Sequence, residues 1–319
     1  MAWRVVAIEN QASLSIKDNK IVIKQNWIPN QARNDDGTMK IKSANDEGAH
    51  KEASLPLEDI DSLVLDSYGI SLSANLLTEL AARGIATTIC DAKHLPCGCI
   101  VPYSQHSRGA KISRAQLNIS EPFRKQLWAR IVQQKITNQA AVLEKFGFNP
   151  ENLLKLAREV RSGDVDNRES VAAREYFDKL LDDATRRKPI WHNSALNYAY
   201  AIVRSAIARS IAARGLIASQ GLFHRSELNQ FNLADDLIEP FRAAVDQYVL
   251  GTVAQRHVGD NDAALTKDDR RLIVDIINQS VIINSKKFTI KYACDMVVES
   301  LVTAILSDDT TLLILPKII

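Results

Sequence analysis

The sequence lacks several features that would place it in a membrane or a secretory pathway. No apolar run approaches the roughly 18 residues needed to cross a bilayer, so no segment is expected to span a membrane. The first ten residues, MAWRVVAIEN, have neither the basic region nor the apolar core of a signal peptide. Only four cysteines occur, which predicts a reducing compartment and no disulfide framework. We therefore expect a cytoplasmic protein.

The composition is that of an ordinary globular protein. Hydrophobic residues make up 46% of the chain and charged residues 24%. Neither an internal repeat nor a low-complexity tract is visible. A chain of 319 residues is too long for one small core, so we expect roughly two domains.

The first hundred residues alternate apolar and polar side chains in the manner of β-strands. The pattern predicts strands at residues 3–8, 12–17, 20–25, 62–66 and 85–90. Asp18 and Asn19 separate two of these strands and indicate a hairpin turn. An amphipathic helix is predicted at residues 73–83, ended by Gly84. The polar residues 30–52 are interpreted as a loop or a short hairpin.

After Pro102 the period of the pattern changes to that of helices. Helices are predicted at residues 114–145, 150–163, 168–181, 193–214, 234–250, 267–279 and 291–306. Between the two halves, Pro102, Ser104, Ser107 and Gly109 interrupt both patterns. We therefore predict an α+β protein with a β-rich domain at residues 1–101 and a larger all-α domain at residues 102–319.

The net charge of +2 is unevenly distributed along the chain. Residues 101–135 hold a cluster of basic side chains against the single acid Glu121. Such an excess suits a polyanion such as DNA, although a solvated helix face is the simpler interpretation. The basic residues are Arg108, Lys111, Arg114, Arg124, Lys125, Arg130 and Lys135.

Cys90, His94, Cys97 and Cys99 form one candidate metal site, in the segment CDAKHLPCGC. Four soft ligands so close together suit Zn²⁺. Their spacing matches no common zinc-ribbon pattern, however, and cysteines in strands are often simply small buried apolar residues. The zinc site is therefore the weaker prediction.

The segment FHRSELNQFNLADDLIEPFRAAVD, residues 223–246, is a second candidate. It places His224 near Asp235, Asp236 and Glu239. Carboxylates suit Mg²⁺ and Mn²⁺, and an imidazole beside them favours Mn²⁺ or another transition metal. Because Pro240 disfavours helical geometry in the residue before it, we expect Glu239 at a kink or a helix start. A structural histidine and acids that complement a helix dipole are the simpler interpretation.

Glu169 is a third candidate, in the first turn of a predicted helix. Taken alone, a glutamate there usually complements the helix dipole. The small residues Ala172 and Ala173 lie one turn further on and leave room for another element to approach. Spacing alone does not show that Glu169, His224 and Glu239 meet in space.

These segments together resemble the universal integrase of CRISPR adaptation, the larger subunit of the complex that captures spacers. Glu169 lies in E-x-x-A-A-R-x-Y-F, His224 in G-x-F-H and Glu239 in L-A-D-D-L-I-E-P-F-R. The sequences N-S-A-L-N-Y-A-Y-A-I-V-R at 193–204 and KHLPCG at 93–98 extend the resemblance over nearly the whole chain. It is closest to the form found in type II systems.

The resemblance implies a metal-dependent DNA integrase and endonuclease. A 3′-hydroxyl of a captured duplex would attack a phosphodiester at the edge of a CRISPR repeat. Glu169, His224 and Glu239 would be the catalytic residues and would bind one Mg²⁺ or Mn²⁺, with Asp235 or Asp236 supporting them. Changing Glu239 to alanine is expected to abolish joining and to preserve folding.

The resemblance also implies partners. Double-stranded DNA would be held by basic residues near the site and in the stretch that precedes it. A second copy of the chain would bind through the β-rich domain, and a small second adaptation protein would bridge such dimers. The effector nuclease is a further candidate partner, and no membrane is expected. The candidate DNA-binding residues are Arg108, Lys111, Arg114, Arg124, Lys125 and Arg242.

Two other functions fit the same residues. A stand-alone, structure-specific DNA nuclease would use the same metal without joining DNA. A helical DNA-binding regulator without chemistry would use the basic stretch alone, and His224 would then be structural.

Overall fold

A computed structural model describes residues 4–25, 51–92, 96–100, 108–181, 190–257 and 264–319. The chain divides into two compact units, residues 1–100 and 101–319. Most of the predicted loop at 30–52 lies outside the described residues, and so do Pro102, Ser104 and Ser107. The roles of the two units in dimerisation and catalysis stay predictions.

The first unit is built mainly from strands. The strands are β1 (Arg4–Ile8), β2 (Ala12–Lys17), β3 (Lys20–Gln25), β4 (Lys51–Pro56), β5 (Ile60–Leu65), β6 (Ile70–Leu72), β7 (Ala86–Cys90) and β8 (Pro96–Ile100). One helix, α1 (Ala74–Ala82), lies between β6 and β7. The pattern did not predict β4, β6 or β8.

The strands of the first unit form two four-stranded sheets, in the orders β1-β5-β7-β8 and β4-β3-β2-β6. In the first sheet β1, β5 and β7 are parallel and β8 is antiparallel to β7. In the second, β2 and β3 form the predicted hairpin. Asp18 and Asn19 turn it with φ of 48° and 61°, as a two-residue turn of this kind requires. Leu14, Ile21, Leu63, Leu76 and Leu80 are at the centre of one apolar core.

The second unit is helical. Its helices are α2 (Gly109–Leu117), α3 (Glu121–Lys145), α4 (Glu151–Arg158), α5 (Arg168–Leu180), α6 (Trp191–Ala213), α7 (Asn232–Tyr248), α8 (Lys267–Val274) and α9 (Ile290–Ser307). A short hairpin of β9 (Ser280–Ile283) and β10 (Lys286–Thr289) precedes α9. The α+β class is therefore confirmed, although the predicted all-α region contains this unpredicted hairpin.

The helix predicted at residues 114–145 is two helices. The break lies at Asn118–Ser120, where the Ser120 hydroxyl accepts a hydrogen bond from Phe123 N at 3.3 Å and caps α3. Pro122 follows in the first turn of α3, where its missing N–H costs nothing. The same proline would have broken a continuous helix, so the prediction overlooked a cap followed by a proline.

Pro240, unlike Pro122, lies inside a helix and does not end it. This helix, α7, begins at Asn232 and continues through Pro240 to Tyr248. The helix predicted at residues 234–250 is therefore present, and of the two positions expected for Glu239, a kink or a helix start, the helix start is wrong. Nearly every side chain from Asn232 to Asp246 is buried, and packing against α3 and α6 stabilises the helix despite the lost hydrogen bond. The Pro240 carbonyl accepts a hydrogen bond from Asn138 Nδ2 of α3 at 2.7 Å. None of the helices in the described ranges is long and apolar enough to cross a membrane.

Candidate metal centre

Lys135 lies at the centre of the site, between two carboxylates from different helices. Its ammonium Nζ is 2.6 Å from Glu169 Oε1 and 2.5 Å from Glu239 Oε2. Lys135 belongs to α3, Glu169 to the first turn of α5 and Glu239 to the middle of α7. Two of the three predicted metal ligands therefore approach the same nitrogen atom.

Glu239 is buried, with 4% of its surface exposed. Its Oε1 accepts a hydrogen bond from Arg242 Nε at 2.7 Å. Its Oε2 contacts Lys135 as an ion pair without the angles of a hydrogen bond. Burial opposes ionisation of Glu239, but Arg242 and Lys135 outweigh it and lower the pKa from 4.5 to about 2. Glu239 is therefore a carboxylate at neutral pH.

The two cations of the cluster are held in place by other contacts. Burial lowers the pKa of Lys135, but Glu239 and Glu169 outweigh burial and raise it above its ordinary value. The Arg242 guanidinium lies over the ring of Tyr200, 4.6 Å from its centroid. Two carboxylates thus face two cations, and this partly buried cluster is neutral as a whole.

Glu169 owes its position to the turn before α5. Asn167 adopts a left-handed conformation with φ of 51°. The buried Asp164 carboxylate accepts hydrogen bonds from Arg168 N at 2.9 Å and from Glu169 N at 3.1 Å. These bonds satisfy two of the free amides at the start of the helix. The fully buried Ala172 lies one turn on, so the small residue noted in the sequence does permit close packing.

His224 is fixed by the carboxylate of Asp236. Its Nδ1 lies 2.7 Å from Asp236 Oδ1, which also accepts a hydrogen bond from His224 N at 3.1 Å. Asp236 Oδ2 accepts from Leu222 N at 2.5 Å and Phe223 N at 3.1 Å. The hydrogen bond to Asp236 raises the pKa of His224 above its ordinary 6.5, although partial burial opposes this. The contact leaves Nε2 as the ring nitrogen for a metal or a substrate.

The loop that carries His224 requires a glycine. A Cβ at Gly221 would overlap the carbonyl oxygen of His224 and lie 2.7 Å from Asp236 Oδ2. The imidazole is also edge-on to the buried Trp128, and Trp128 stacks on Phe223 with ring centroids 4.4 Å apart. Backbone, carboxylate and aromatic rings together hold the imidazole in one orientation.

Asp235 and Asp236 have different partners. Asp236 is the residue that contacts His224, as described above. Asp235 instead pairs with Arg204 through both carboxylate oxygens and accepts a hydrogen bond from Asn229 Nδ2 at 2.6 Å. Of the two predicted supporting acids, only Asp236 therefore touches a predicted ligand.

The donor set suits a hard divalent cation. It comprises two carboxylates and an imidazole whose Nδ1 is already engaged. Within the described ranges, no three His, Cys, Asp or Glu side chains lie close enough together to hold a metal ion as they stand. The ammonium of Lys135 lies between Glu169 and Glu239 and, together with Arg242, balances their charge. The buried Glu239 Oε2 has Lys135 as its partner at 2.5 Å, and it is an atom that a metal ion would take over from that ammonium.

The predicted DNA-binding residues fall into two groups. Arg108, Lys111, Arg114 and Lys125 are exposed on α2 and at the start of α3. Arg124 pairs with Glu121 at 3.0 Å, and Arg242 pairs with Glu239 inside the site. Lys135 and Arg130, in the same basic stretch, do not share the exposed face: Lys135 is buried and Arg130 Nη2 donates to the Leu313 carbonyl at 3.1 Å.

An open cavity of about 550 Å³ borders His224. Gln116, Arg124, Ser219, Gly221 and Asn229 contribute to its walls. Its walls carry two guanidinium groups, of Arg124 and Arg225, and one carboxylate, of Glu227. The cavity therefore extends the candidate site from the imidazole toward α2 and α3.

The three cysteines of the candidate zinc site differ in exposure. Cys90 is buried on β7, whereas Cys97 is exposed on β8 and donates to the Ile89 carbonyl at 3.5 Å. Cys99 is half-buried. His94 lies outside the described residues. Cys90 alone of these three fits the simpler interpretation of a small buried residue in a strand, and the zinc site stays the weaker prediction.

Sequence reasoning missed Lys135, Asp164 and Gly221. A signal for Lys135 is present: it follows Trp128, Ile131 and Val132 at helical spacing, on the buried face of α3. A lysine on an apolar face needs a partner. Asp164 caps the start of α5, and Gly221 allows the His224 carbonyl to approach closely. No rule of residue spacing identifies either role.

Comparison with known proteins gives one consistent family. The family model described as "CRISPR associated protein Cas1" matches residues 6–281. A "CRISPR-associated endonuclease Cas1" of Neisseria meningitidis serogroup C (strain 8013) is 38% identical over 322 aligned positions, covering 100% of this chain and 97% of the relative.

Solved structures with the same fold are much less similar in sequence. A casposase bound to an integration product has a TM-score of 0.73 at 18% identity, covering 98% of this chain and 93% of that one. A chain of a Cas6-RT-Cas1–Cas2 complex has a TM-score of 0.68 at 18% identity, covering 97% of this chain and 36% of that one. At such identities the likeness concerns the fold.

Proposed function

Because the chain belongs to the CRISPR associated protein Cas1 family, we propose that it is a metal-dependent DNA integrase and endonuclease of CRISPR adaptation. The observation that carries the proposal is the approach of Glu169 and Glu239 to the same ammonium nitrogen. His224, whose imidazole is oriented by Asp236, would be the third ligand. The name of its Neisseria relative supports endonuclease activity, and its shared fold with a casposase bound to an integration product supports DNA joining.

Glu169, His224 and Glu239 would hold the metal. Bound there, Mg²⁺ or Mn²⁺ would supply the charge that polarises a phosphodiester and stabilises the leaving oxygen. Asp236 keeps Nδ1 of His224 engaged, so that Nε2 is the ligand atom. Arg242 holds Glu239 Oε1 and so directs Oε2 toward the site.

The proposed reaction exchanges one phosphodiester for another. The 3′-hydroxyl oxygen of the captured fragment bonds to the phosphorus at the repeat boundary, and the bond from that phosphorus to the 3′-oxygen of the repeat strand breaks. The proton lost by the attacking hydroxyl is balanced by the proton gained on the released 3′-oxygen. No external energy source is needed, and water as the nucleophile gives strand cleavage at the same site.

Double-stranded DNA is the proposed substrate and template. The exposed Lys111, Arg114 and Lys125 would contact its phosphates without reading sequence. The shared fold with part of a Cas6-RT-Cas1–Cas2 complex supports a small Cas2-type partner. A homodimer formed through the β-rich unit, and a type II effector nuclease as a further partner, remain predictions that co-purification of the components tests.

An integration assay tests the proposal. Purified protein, a Cas2-type partner, Mn²⁺ and a short duplex with 3′-hydroxyl ends are incubated with a supercoiled plasmid that carries a CRISPR repeat. We expect joined products from the wild type and a loss of at least a hundredfold from Glu169→Gln, His224→Ala or Glu239→Gln. Glu175→Gln, in the same helix as Glu169 and paired with Lys179, is the matched control.

The alternatives give different results in the same assay. A stand-alone nuclease would degrade the plasmid and never join the duplex. A regulator without chemistry would bind DNA but neither cut nor join it, and Glu239→Gln would leave its function intact.

Charge reversal tests the DNA path. Lys111→Glu with Arg114→Glu should weaken binding to all DNA sequences, and should flatten the slope of log affinity against log salt by about 2, because two phosphate contacts are lost. Lys286→Glu with Lys287→Glu, exposed on β10, is the control. Unchanged affinity would remove α2 from the DNA path.

A further inference from the structure

The most unusual group in the site is the ammonium of Lys135. The side chain is 8% exposed, and Nζ contacts one oxygen of each carboxylate ligand. A lysine is rarely buried unless it is paired, and here the two partners are the residues proposed to bind a metal. Lys135 and a metal ion therefore compete for the same carboxylate oxygens.

We propose that Lys135 is an internal counter-cation that holds Glu169 and Glu239 together in the metal-free protein and must leave that position when a divalent ion binds. The inference rests on the proposed function and adds a step to it. Lys135 is a positioning residue on this view, because it acts through the ligands.

Charge balance supports the displacement. With Lys135 and Arg242 facing Glu169 and Glu239, the cluster is neutral. A divalent ion added beside an unmoved ammonium would bring two more positive charges to this partly buried cluster and would have to share the carboxylate oxygens that Lys135 Nζ already contacts at 2.6 Å and 2.5 Å, which is unfavourable. Lys135 has a flexible four-carbon stem, whereas Arg242 is fixed by its hydrogen bond to Glu239 and by stacking on Tyr200. Lys135 is therefore the cation that moves.

Displacement has a consequence for the order of binding. Part of the metal's binding free energy is used to separate Lys135 from two carboxylates, so the free protein binds the metal weakly. A DNA phosphate brings negative charge and offers the released ammonium a new partner. Metal and DNA are therefore expected to bind cooperatively.

Mn²⁺ titration of the full-length protein tests the inference, with free Mn²⁺ followed by electron paramagnetic resonance. Lys135→Met removes the charge and keeps an unbranched side chain. We expect this variant to bind Mn²⁺ at least tenfold more tightly than the wild type, and to melt at a lower temperature in EDTA. Lys179→Met, which removes an ion pair with Glu175 outside the site, should stay within twofold of the wild type.

The outcomes separate this inference from the proposed function. If the wild type binds Mn²⁺ no better than Glu239→Gln does, the proposed metal site itself is wrong. If that difference is present but Lys135→Met binds Mn²⁺ with unchanged or weaker affinity, only the displacement is wrong. Lys135→Arg keeps the charge and should bind Mn²⁺ no more tightly than the wild type. Tighter binding by this variant would overturn the inference.

A measurement on the wild type does not depend on the folding of any variant. A short pulse of reductive methylation, read by peptide mass spectrometry, reports how accessible each lysine is. Lys135 should react at least threefold faster with Mn²⁺ than with EDTA, whereas Lys179 should react at the same rate in both. Equal protection of Lys135 in the two conditions would overturn the displacement.

Discussion

Replacing Glu239 with glutamine is expected to destabilise the metal-free protein. The carboxylate is buried between Lys135 and Arg242, so its removal leaves two cations with one partner fewer. Its pKa of about 2, against the ordinary 4.5 of a glutamate in the unfolded chain, corresponds to about 3 kcal/mol of unfolding free energy at neutral pH. Breaking a buried ion pair by removing one partner typically costs a similar amount, about 3–5 kcal/mol.

The pH dependence has a definite sign. The folded-state pKa of Glu239 lies below its unfolded-state value, so the contribution is complete above about pH 5.5 and is lost as the pH falls from 4.5 toward 2. The difference in unfolding free energy between the wild type and Glu239→Gln should be constant from pH 8 to 6. By pH 4 it should shrink by nearly 1 kcal/mol, or about a quarter.

Urea denaturation in EDTA at pH 7 and at pH 4 measures both quantities. Glu175→Gln is the control, because its ion pair with Lys179 is partly exposed and such pairs contribute less than about 1 kcal/mol. Equal stability of Glu239→Gln and the wild type at pH 7 would refute the claim that the ion pairs of Glu239 stabilise the metal-free protein. A gap that is just as wide at pH 4 would refute the assignment of the stability to the ionised Glu239.

Three further predictions concern the residues around the ligands. Asp236→Asn removes the carboxylate that raises the pKa of His224. Protons should then compete less with Mn²⁺ for the imidazole, so Mn²⁺ binding should be lost at a lower pH than in the wild type. Mn²⁺ titrations between pH 5 and 8 measure this midpoint. Gly221→Ala should abolish integration and lower the melting temperature, because its Cβ would overlap the His224 carbonyl. Gly147, with φ of 84°, has open space around it, so Gly147→Ala should lower the free energy of unfolding by only about 1 kcal/mol, as urea denaturation measures. Arg242→Lys keeps the charge but loses the stacking on the tyrosine ring beneath it, and should lower the free energy of unfolding in EDTA by about 1–2 kcal/mol.

The sequence was a good guide where periodicity decides the outcome. The alternation in residues 12–25 predicted the β2–β3 hairpin and its Asp18-Asn19 turn, and the helical period predicted the core of α6 and α9. It failed where a short local signal competes with a long pattern. The cap at Ser120 divides one predicted helix into two, and the helix start considered at Glu239 is absent because the predicted helix continues through Pro240.

In the site, too, some residues could be predicted from the sequence and others could not. Glu169, His224 and Glu239 were identified from motifs, and helical packing then brings the two carboxylates to one atom. Their partners were not identified, because Lys135 and Arg242 meet them only in the folded chain. This omission reverses one expectation: from the sequence, loss of Glu239 should preserve folding, whereas its burial between two cations predicts destabilisation.

The partners of Glu239 also bear on the choice between chemistry and simple DNA binding. A buried group of charges contributes little net stability, and well-packed apolar residues of the same size often stabilise a protein as well or better. A protein that only held DNA on the exposed face of α2 would gain nothing from a buried lysine and a buried glutamate, Lys135 and Glu239, that meet the half-buried Glu169 between α3, α5 and α7. It would also gain nothing from the bond that fixes His224 to Asp236. Such an arrangement is useful when the carboxylates must receive a metal ion, and we therefore favour the catalytic function over the regulator.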